Sequence, residues 1–222
     1  MKKIIQGIKL SNASKMPCKS WSLEALVTCP ASRDSKGDLV PACKGCYATD
    51  GNYVFKNVKL PRQHNKQDWK RESWVSDMVA ALDDSRYFRW FDSGDCYSLK
   101  LAEKILEVMQ KTPWCNHWLP TRMYKFKKFL PVFERMQSLP NAVVRFSSDS
   151  ITGETVQGDT TSTIIQYADD LKAGHTLCEA YTRGGKCASC RACWNKDVAV
   201  IAYPSHGRKM AKQYKLIEAL AI

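Results

Sequence analysis

Clustered cysteines constrain this chain more than any other feature of its sequence. Seven of the ten cysteines form a first group of three and a second group of four, which are Cys29, Cys43 and Cys46, and Cys178, Cys187, Cys190 and Cys193. The basic N-terminus lacks a following apolar h-region, and no apolar run reaches the roughly 18 residues of a membrane span. The sequence therefore predicts a protein that stays in a reducing cytoplasm without entering a membrane. In that compartment clustered cysteines indicate metal ligation rather than disulfide bonds.

The pattern of apolar residues predicts an α/β fold in a single domain, 1–222. Helices are predicted at 73–83, 99–110, 126–136 and 210–220, and strands at 87–91, 117–120, 142–147 and 197–203. Strands that alternate with helices of about ten to fifteen residues indicate βαβ units and a parallel sheet. Because the chain is too short for a complete eight-unit barrel, we expect a partial (β/α) barrel. Its parts are a first cluster loop at 18–60, βα repeats at 73–170, and a second cluster loop with the final strand at 175–207.

Each predicted strand ends in a polar cluster. These clusters are Ser93-Gly94-Asp95, Thr121-Arg122, Ser147-Ser148-Asp149 and Ser205-His206. Ligands of parallel α/β folds bind at the carboxyl ends of the strands, so the four clusters are expected to form one site.

The first cysteine group is typical of a cluster with one open iron. Cys43 and Cys46 form a Cys-x-x-Cys pair in which Gly45 relieves the backbone, and thirteen residues separate Cys29 from Cys43. No histidine lies nearby to complete a zinc tetrahedron. Three thiolates would leave one iron of a [4Fe-4S] cluster open for a small ligand. Structural zinc and simple structural thiols are the alternatives.

The second cysteine group places four thiols within sixteen residues. Its Cys-x2-Cys-x2-Cys run resembles ferredoxin-type cluster loops, and Gly184 and Gly185 permit a sharp turn just before it. A full set of four cysteines leaves no open iron, so this centre is expected to be structural or to transfer electrons. A four-cysteine zinc site is the competing interpretation.

The three-cysteine loop resembles that of the radical S-adenosylmethionine (radical SAM) enzymes. Their usual spacing is Cys-x3-Cys-x2-Cys, whereas thirteen residues separate the first two cysteines here and Tyr47 follows the last. The resemblance implies a partial (β/α) barrel whose open iron binds S-adenosylmethionine. It also implies that Ser93, Gly94 and Asp95 hold the amino group of that cofactor, and that Arg122 or Asp149 faces the ribose or the substrate.

The order of motifs is similar to the bacteriophage "gene 88" protein family. The resemblance runs from Cys-Pro at Cys29 through Cys-x-x-Cys-Tyr-Ala, Ser-Gly-Asp, Thr-Arg, Ser-x-Asp and Cys-x-x-Cys-x-x-Cys-Trp to the closing His206-Gly207. It implies a phage protein of the host cytoplasm, and it supplies neither a substrate nor an electron donor.

The formal net charge of +12 leaves two further functions open. A basic surface favours phosphate-rich partners, so a non-catalytic iron–sulfur protein in regulation, electron transfer or nucleic-acid binding is the first alternative. A zinc-stabilised scaffold is the second. Trp69 and Trp74, which could contact bases, are expected in the core. Cys18, Cys96 and Cys115 are not expected to be ligands.

Overall fold

Eight strands form one open sheet in the computed structural model, which describes residues 7–220. The strands are β1 (Ser11–Asn12), β2 (Lys19–Trp21), β3 (Tyr87–Trp90), β4 (Asn116–Thr121), β5 (Ala142–Ser147), β6 (Thr161–Ile165), β7 (Thr176–Leu177) and β8 (Val200–Pro204). Their order is β1-β2-β3-β4-β5-β6-β8-β7, and neighbours are parallel except β1 and β2. The predicted α/β fold with a mostly parallel sheet is confirmed, and the sheet does not close.

Helices connect the central strands as βα repeats. The α-helices are α1 (Pro41–Lys44), α2 (Lys56–Asp68), α3 (Trp74–Ala81), α4 (Leu99–Lys111), α5 (Leu130–Ser138) and α6 (Arg208–Leu220). The units β3-α4-β4 and β4-α5-β5 are those that the alternating pattern predicts. The long connection from β2 to β3 carries the first cysteine group together with α1, α2 and α3.

Two predicted elements begin later than expected. The helix predicted at 126–136 begins at Leu130, because 127–129 form a 3-10 turn and Pro131 occupies the first helical turn, where its missing N–H costs nothing. The strand predicted at 197–203 begins at Val200, because the Asp197 N–H donates to the Asn195 side chain in a turn (2.9 Å).

Two substantial elements have no clear sequence signal. Helix α2 contains Pro61, which ordinarily ends a helix, so its pattern does not predict one. Strand β6 begins with Thr161-Ser162-Thr163, which lacks the apolar alternation of a strand. Strand β6 is stabilised by pairing with both β5 and β8.

The main hydrophobic core lies between one face of the sheet and α3, α4 and α5. It is rich in aromatic rings, and Trp21 packs edge-on against Trp74 with ring centroids 5.3 Å apart. Trp69 and Trp74 are buried there, as expected. Because side chains alternate along a strand, Arg89 of β3 points to the opposite face, where it stacks over Trp118 of β4. Within residues 7–220, no helix has the length and apolar character needed to cross a membrane.

Candidate functional site

The carboxyl ends of β3, β4 and β5 meet in a hydrogen-bonded network. The Asp95 carboxylate accepts hydrogen bonds from the Thr121 hydroxyl (2.6 Å) and the Arg122 backbone N–H (2.9 Å). The Arg122 guanidinium in turn donates to the Ser148 carbonyl (2.7 Å). Three of the four polar clusters therefore lie together at one edge of the sheet, as their positions after successive strands predict.

The fourth cluster reaches this edge through Tyr47. The rings of Tyr47 and His206 lie 6.0 Å apart, and the Tyr47 hydroxyl donates to the Asp92 carbonyl at 2.6 Å. Lys209 lies on α6, three residues after His206, and donates to the Thr49 hydroxyl at 2.7 Å. The segment that carries the first cysteine group is thus held against both β3 and α6.

Backbone contacts fix the first cysteine loop over the same edge. The Ala42 N–H donates to the Asp149 carbonyl (3.0 Å), and the Lys125 ammonium donates to the Ala31 carbonyl (3.0 Å). Gly45 lies so close to Met210 of α6 that an added Cβ would approach its sulfur to 2.8 Å. The loop is therefore positioned by the polar strand ends and by α6.

The thiols of the first group are close enough for their charges to affect one another's pKa values. Burial raises the pKa of Cys29, and the charges of Asp95, Cys43 and Cys46 raise it further. Cys43 is buried, whereas Cys29 and Cys46 are partly exposed. Within the described part of the chain, no three cysteine, histidine or carboxylate side chains come close enough to hold a metal ion.

Cations lie near two thiols of the first group, Cys43 and Cys46. Burial raises the pKa of both Cys43 and Cys46, and the positive charge of Arg122 opposes that rise at each thiol. Lys125 also acts on Cys43, and Lys209 acts on Cys46. Nearby cations favour the thiolate, the form that ligates a metal, and so oppose the effect of burial, which keeps the pKa of both thiols raised.

Arg122 and Asp149, both predicted site residues, face each other beside these thiols. Arg122 Nε lies 3.2 Å from Asp149 Oδ1, yet the alignment is not that of a hydrogen bond and neither atom has another partner among the described residues. The second carboxylate oxygen of Asp149 pairs with Lys125. Buried polar atoms that lack hydrogen bonds are expected where a ligand supplies them.

The Ser93-Gly94-Asp95 turn is engaged by the protein itself. The Ser93 hydroxyl accepts from Arg62 Nε (2.6 Å) and donates to the Leu23 carbonyl (2.7 Å). Asp95 is 6% exposed and accepts a third hydrogen bond, from the Cys96 N–H at 2.7 Å. A carboxylate has about four acceptor positions, so Asp95 retains little capacity for a cofactor ammonium. Its contacts position Arg122, and contact with a cofactor stays a prediction.

The second cysteine group lies across the face of the sheet opposite α3, α4 and α5. Trp194 anchors its loop, because its indole N–H donates to the Phe88 carbonyl (2.9 Å) and its ring packs edge-on against Trp118 (5.3 Å). The Cys193 sulfur lies 3.4 Å from the Tyr203 hydroxyl of β8. Gly184 and Gly185 both adopt positive φ, so the turn predicted before the Cys-x2-Cys-x2-Cys run is confirmed.

The thiols of the second group also act on one another. Burial raises the pKa of Cys187, and the charges of Cys178 and Cys190 add to the rise. Burial raises the pKa of Cys193 to about 11, again with a contribution from Cys178. These effects link all four predicted ligands, of which Cys190 is the exposed member, but within the described residues no three of them come close enough to hold a metal ion, so their role as ligands stays a prediction.

Cys18 lies next to this second group, which the sequence did not indicate. Burial raises the pKa of Cys18 to about 12, and Cys187 contributes to the rise. The Cys187 N–H donates to the Lys15 carbonyl at 2.8 Å, so the two loops are in contact. Cys18 also lines a cavity of about 530 Å³ at the amino ends of β2 and β3. A single cysteine far along the chain carries no spacing signal that could have revealed this contact.

The sequence also missed the cations that complete both groups. Lys125 and Lys209 act on the first group, while Arg89 and Arg145 act on Cys193 of the second. Isolated basic residues of this kind resemble ordinary surface charges until the fold places them beside thiols.

Comparison with known proteins gives one match. A family model described as Gene product 88 matches residues 2–196, which include both cysteine groups. No curated protein and no solved structure matches the chain.

Proposed function

The chain belongs to the Gene product 88 family, and from that premise we propose that it is an iron–sulfur protein with two cysteine-ligated clusters. In this proposal Cys29, Cys43 and Cys46 hold a [4Fe-4S] cluster with one open iron, and Cys178, Cys187, Cys190 and Cys193 hold a second cluster. The proposed setting is the cytoplasm of a phage-infected host.

One observation carries the proposal. The loop with three cysteines lies over the carboxyl ends of the parallel strands, where α/β folds bind their ligands, and beside Arg122 and Asp149. Two atoms of that pair, Arg122 Nε and Asp149 Oδ1, lack hydrogen bonds among the described residues. A loop with a purely structural role would not require unsatisfied polar atoms next to its thiols.

The residues present fit a cluster by their chemistry. Each cysteine of a [4Fe-4S] cluster binds a different iron, so the sulfurs surround the cluster instead of converging on one ion. Metal binding also orders its ligands, and a preformed site is not required. Arg122, Lys125 and Lys209 offset the negative charge that three thiolates bring to a partly buried site.

We further propose that the open iron binds S-adenosylmethionine, with the open sheet serving as a radical SAM-like partial barrel. When bound and reduced, such a cluster supplies the electron that cleaves the sulfonium into methionine and a 5′-deoxyadenosyl radical. In this proposal the protein itself orients the cofactor and excludes water from it. In this proposal Arg122 binds the cofactor carboxylate, since its Nε makes no hydrogen bond among the described residues. Asp149 would accept a hydrogen bond from a hydroxyl or an ammonium group of the cofactor or substrate.

The first experiment is anaerobic reconstitution of the full chain with iron and sulfide. We expect a brown protein in which changing Cys29, Cys43 and Cys46 together to Ser removes about half of the bound iron. The matched control is Cys115→Ala, a buried cysteine of the main core, which should keep all of it. A colourless protein that binds zinc in both groups would support the zinc scaffold and refute the proposal.

The second experiment tests cofactor cleavage. Reconstituted protein with dithionite as the one-electron donor is incubated with S-adenosylmethionine, and 5′-deoxyadenosine is measured by mass spectrometry. Arg122→Gln should weaken cofactor binding more than Arg135→Gln, which removes an exposed charge from α5. Iron without cofactor binding or cleavage would leave the non-catalytic iron–sulfur protein as the answer. A salt-dependent mobility shift with DNA or RNA would then indicate that this protein binds nucleic acid.

A further inference from the structure

Helix α6 presents a stripe of positive charge to solvent. Arg208, Lys212 and Lys215 are all exposed and follow one another at intervals of four and three residues, so they lie along one face of the helix. Met210 and Tyr214 are buried and define the other face. Within residues 7–220, no carboxylate forms an ion pair with any of the three cations. The stripe is therefore a positive surface that the described part of the protein does not neutralise.

The buried face of α6 holds the helix against the segment that carries the first cysteine group. Met210 and Tyr214 pack with Ala42 and Ile151 in a small second core. An amphipathic helix that binds a membrane inserts its apolar face into the lipid, whereas these two side chains of α6 are used inside the protein. The stripe consequently favours a polyanion in water over a lipid surface.

Exposed aromatic rings continue from the amino end of α6. The ring of His206, which is exposed just before the helix, lies 6.0 Å from the ring of Tyr47, which is 42% exposed. Tyr47 also meets Tyr53 edge-on at 5.5 Å. Lys209 donates to the Thr49 hydroxyl, so the helix and the segment with these rings are held together. Aromatic rings of this kind stack on unpaired bases, while nearby cations bind the phosphates.

The length of the stripe suits a nucleic-acid backbone. The stretch of helix from Arg208 to Lys215 spans about 10 Å. One DNA strand places a phosphate about every 3.4 Å along the duplex axis, which gives about three phosphates over that length. An acidic peptide would also meet the three cations, but it offers no bases to the rings of Tyr47 and His206. Nucleic acid therefore matches both parts of this surface.

Going beyond the proposed function, we propose that the stripe of α6 and the rings of Tyr47 and His206 form a binding surface for a nucleic-acid strand with unpaired bases. The three cations bind the phosphates, and an unpaired base stacks on the ring of His206. Because Tyr47 directly follows Cys46, the bound strand lies at the first cysteine loop. Binding requires neither a cluster nor a cofactor.

The test measures binding of the full chain to a fluorescently labelled single-stranded oligonucleotide, as DNA and as RNA, by anisotropy over a range of salt concentrations. The triple variant with Arg208, Lys212 and Lys215 changed to Gln should bind more weakly. Each lost phosphate contact lowers the slope of log affinity against log salt by about 0.7 for a single strand, so the triple variant should lower it by about 2.

A second triple variant controls for net charge. It removes the same number of exposed cations from α4 and α5, by changing Lys100, Lys111 and Arg135 to Gln. This variant should keep the parental salt slope, because its cations do not belong to the stripe.

Substitution of His206 tests the stacking contact. Loss of one stacked base should weaken single-strand binding at least about fivefold in His206→Ala. The salt slope should stay unchanged, and His206→Phe should restore the affinity. A duplex of the same sequence has no unpaired bases, so His206→Ala should weaken its binding less.

Several results would overturn the proposal. Parental affinity and slope in the α6 variant would exclude the stripe as the contact, and equal weakening in the α4 and α5 variant would show that net charge alone governs binding. Poly-glutamate that competes as well as unlabelled oligonucleotide would assign the surface to an acidic protein. Parental single-strand affinity in His206→Ala would exclude the stacking contact. Iron content after reconstitution is measured separately, so the nucleic-acid surface and the proposed clusters can fail independently.

Discussion

Replacing Gly94 by alanine should strongly destabilise the fold at the edge that carries the first cysteine loop. Gly94 adopts a φ of +78°, and an added Cβ would lie 2.6 Å from Leu23 Cβ and 2.7 Å from Thr28 Oγ1. The same Cβ would lie 2.9 Å from the Leu23 carbonyl carbon, which is backbone and cannot rotate away. The left-handed conformation costs about 1–2 kcal/mol and overpacking about 1–3 kcal/mol. Together they should lower the free energy of unfolding by about 2–5 kcal/mol.

The matched control is Gly37→Ala in the first cysteine loop. Gly37 has a φ of +87°, but nothing lies within 4 Å of its added Cβ, so only the conformational cost of about 1–2 kcal/mol applies. Urea denaturation of both variants measures the difference, provided that the m-values agree. Because Leu23 and Thr28 lie on the chain that leads to Cys29, Gly94→Ala should also retain less iron after reconstitution. If Gly94→Ala costs no more than Gly37→Ala, the close-packing argument for this turn is wrong.

Three further perturbations follow from buried polar groups. Burial lowers the pKa of His117 to about 3, so the unfolded state gains a proton below roughly pH 6.5 while the folded state does not. The free energy of unfolding should therefore fall by up to about 1.4 kcal/mol per pH unit below that pH. Urea titrations at pH 7 and pH 5 should show a weaker pH dependence for His117→Phe. Arg145, which is 0% exposed, donates to the Thr161 and Val198 carbonyls at 3.0 and 2.9 Å. Arg145→Lys should lower the free energy of unfolding by about 1–3 kcal/mol for each carbonyl left unpaired. Unchanged stability in urea denaturation would show that these hydrogen bonds do not stabilise the fold. Asp92→Asn leaves the guanidinium of Arg62 buried without its anion and should lower the free energy of unfolding by about 3–5 kcal/mol in the same assay. The control Glu103→Gln removes the exposed ion pair with Arg135 and should cost less than about 1 kcal/mol.

The regular βα repeats were predictable because their signals are local. Helix α4 buries Leu101, Ile105 and Met109 at helical spacing, so the period of its apolar residues predicts both the helix and the face it buries. Strand β5 begins with three apolar residues, and its predicted bounds, 142–147, agree with the structure. The meeting of the strand ends then follows from parallel pairing alone, as the contact between Asp95 and Arg122 confirms.

The elements that were missed depend on contacts from distant parts of the chain. Strand β6 is held by β5 and β8, so its polar threonines are buried by pairing and not by their own hydrophobicity. Helix α2 tolerates Pro61 and places Arg62 against Asp92, a partner that lies thirty residues away in sequence. No local pattern in the sequence predicts either of these contacts.

Cysteine spacing alone defined the two groups, because the members of each lie close together in sequence. The pattern of apolar residues also predicted a parallel α/β arrangement, because helical and strand periods are properties of neighbouring residues. Only the tertiary structure decided which cations act on which thiols, that Cys18 lies beside the second group, and that Arg89 reaches both Tyr47 and Trp118. Electrostatic partners depend on distance in space, and a folded chain brings together charges that its sequence keeps far apart.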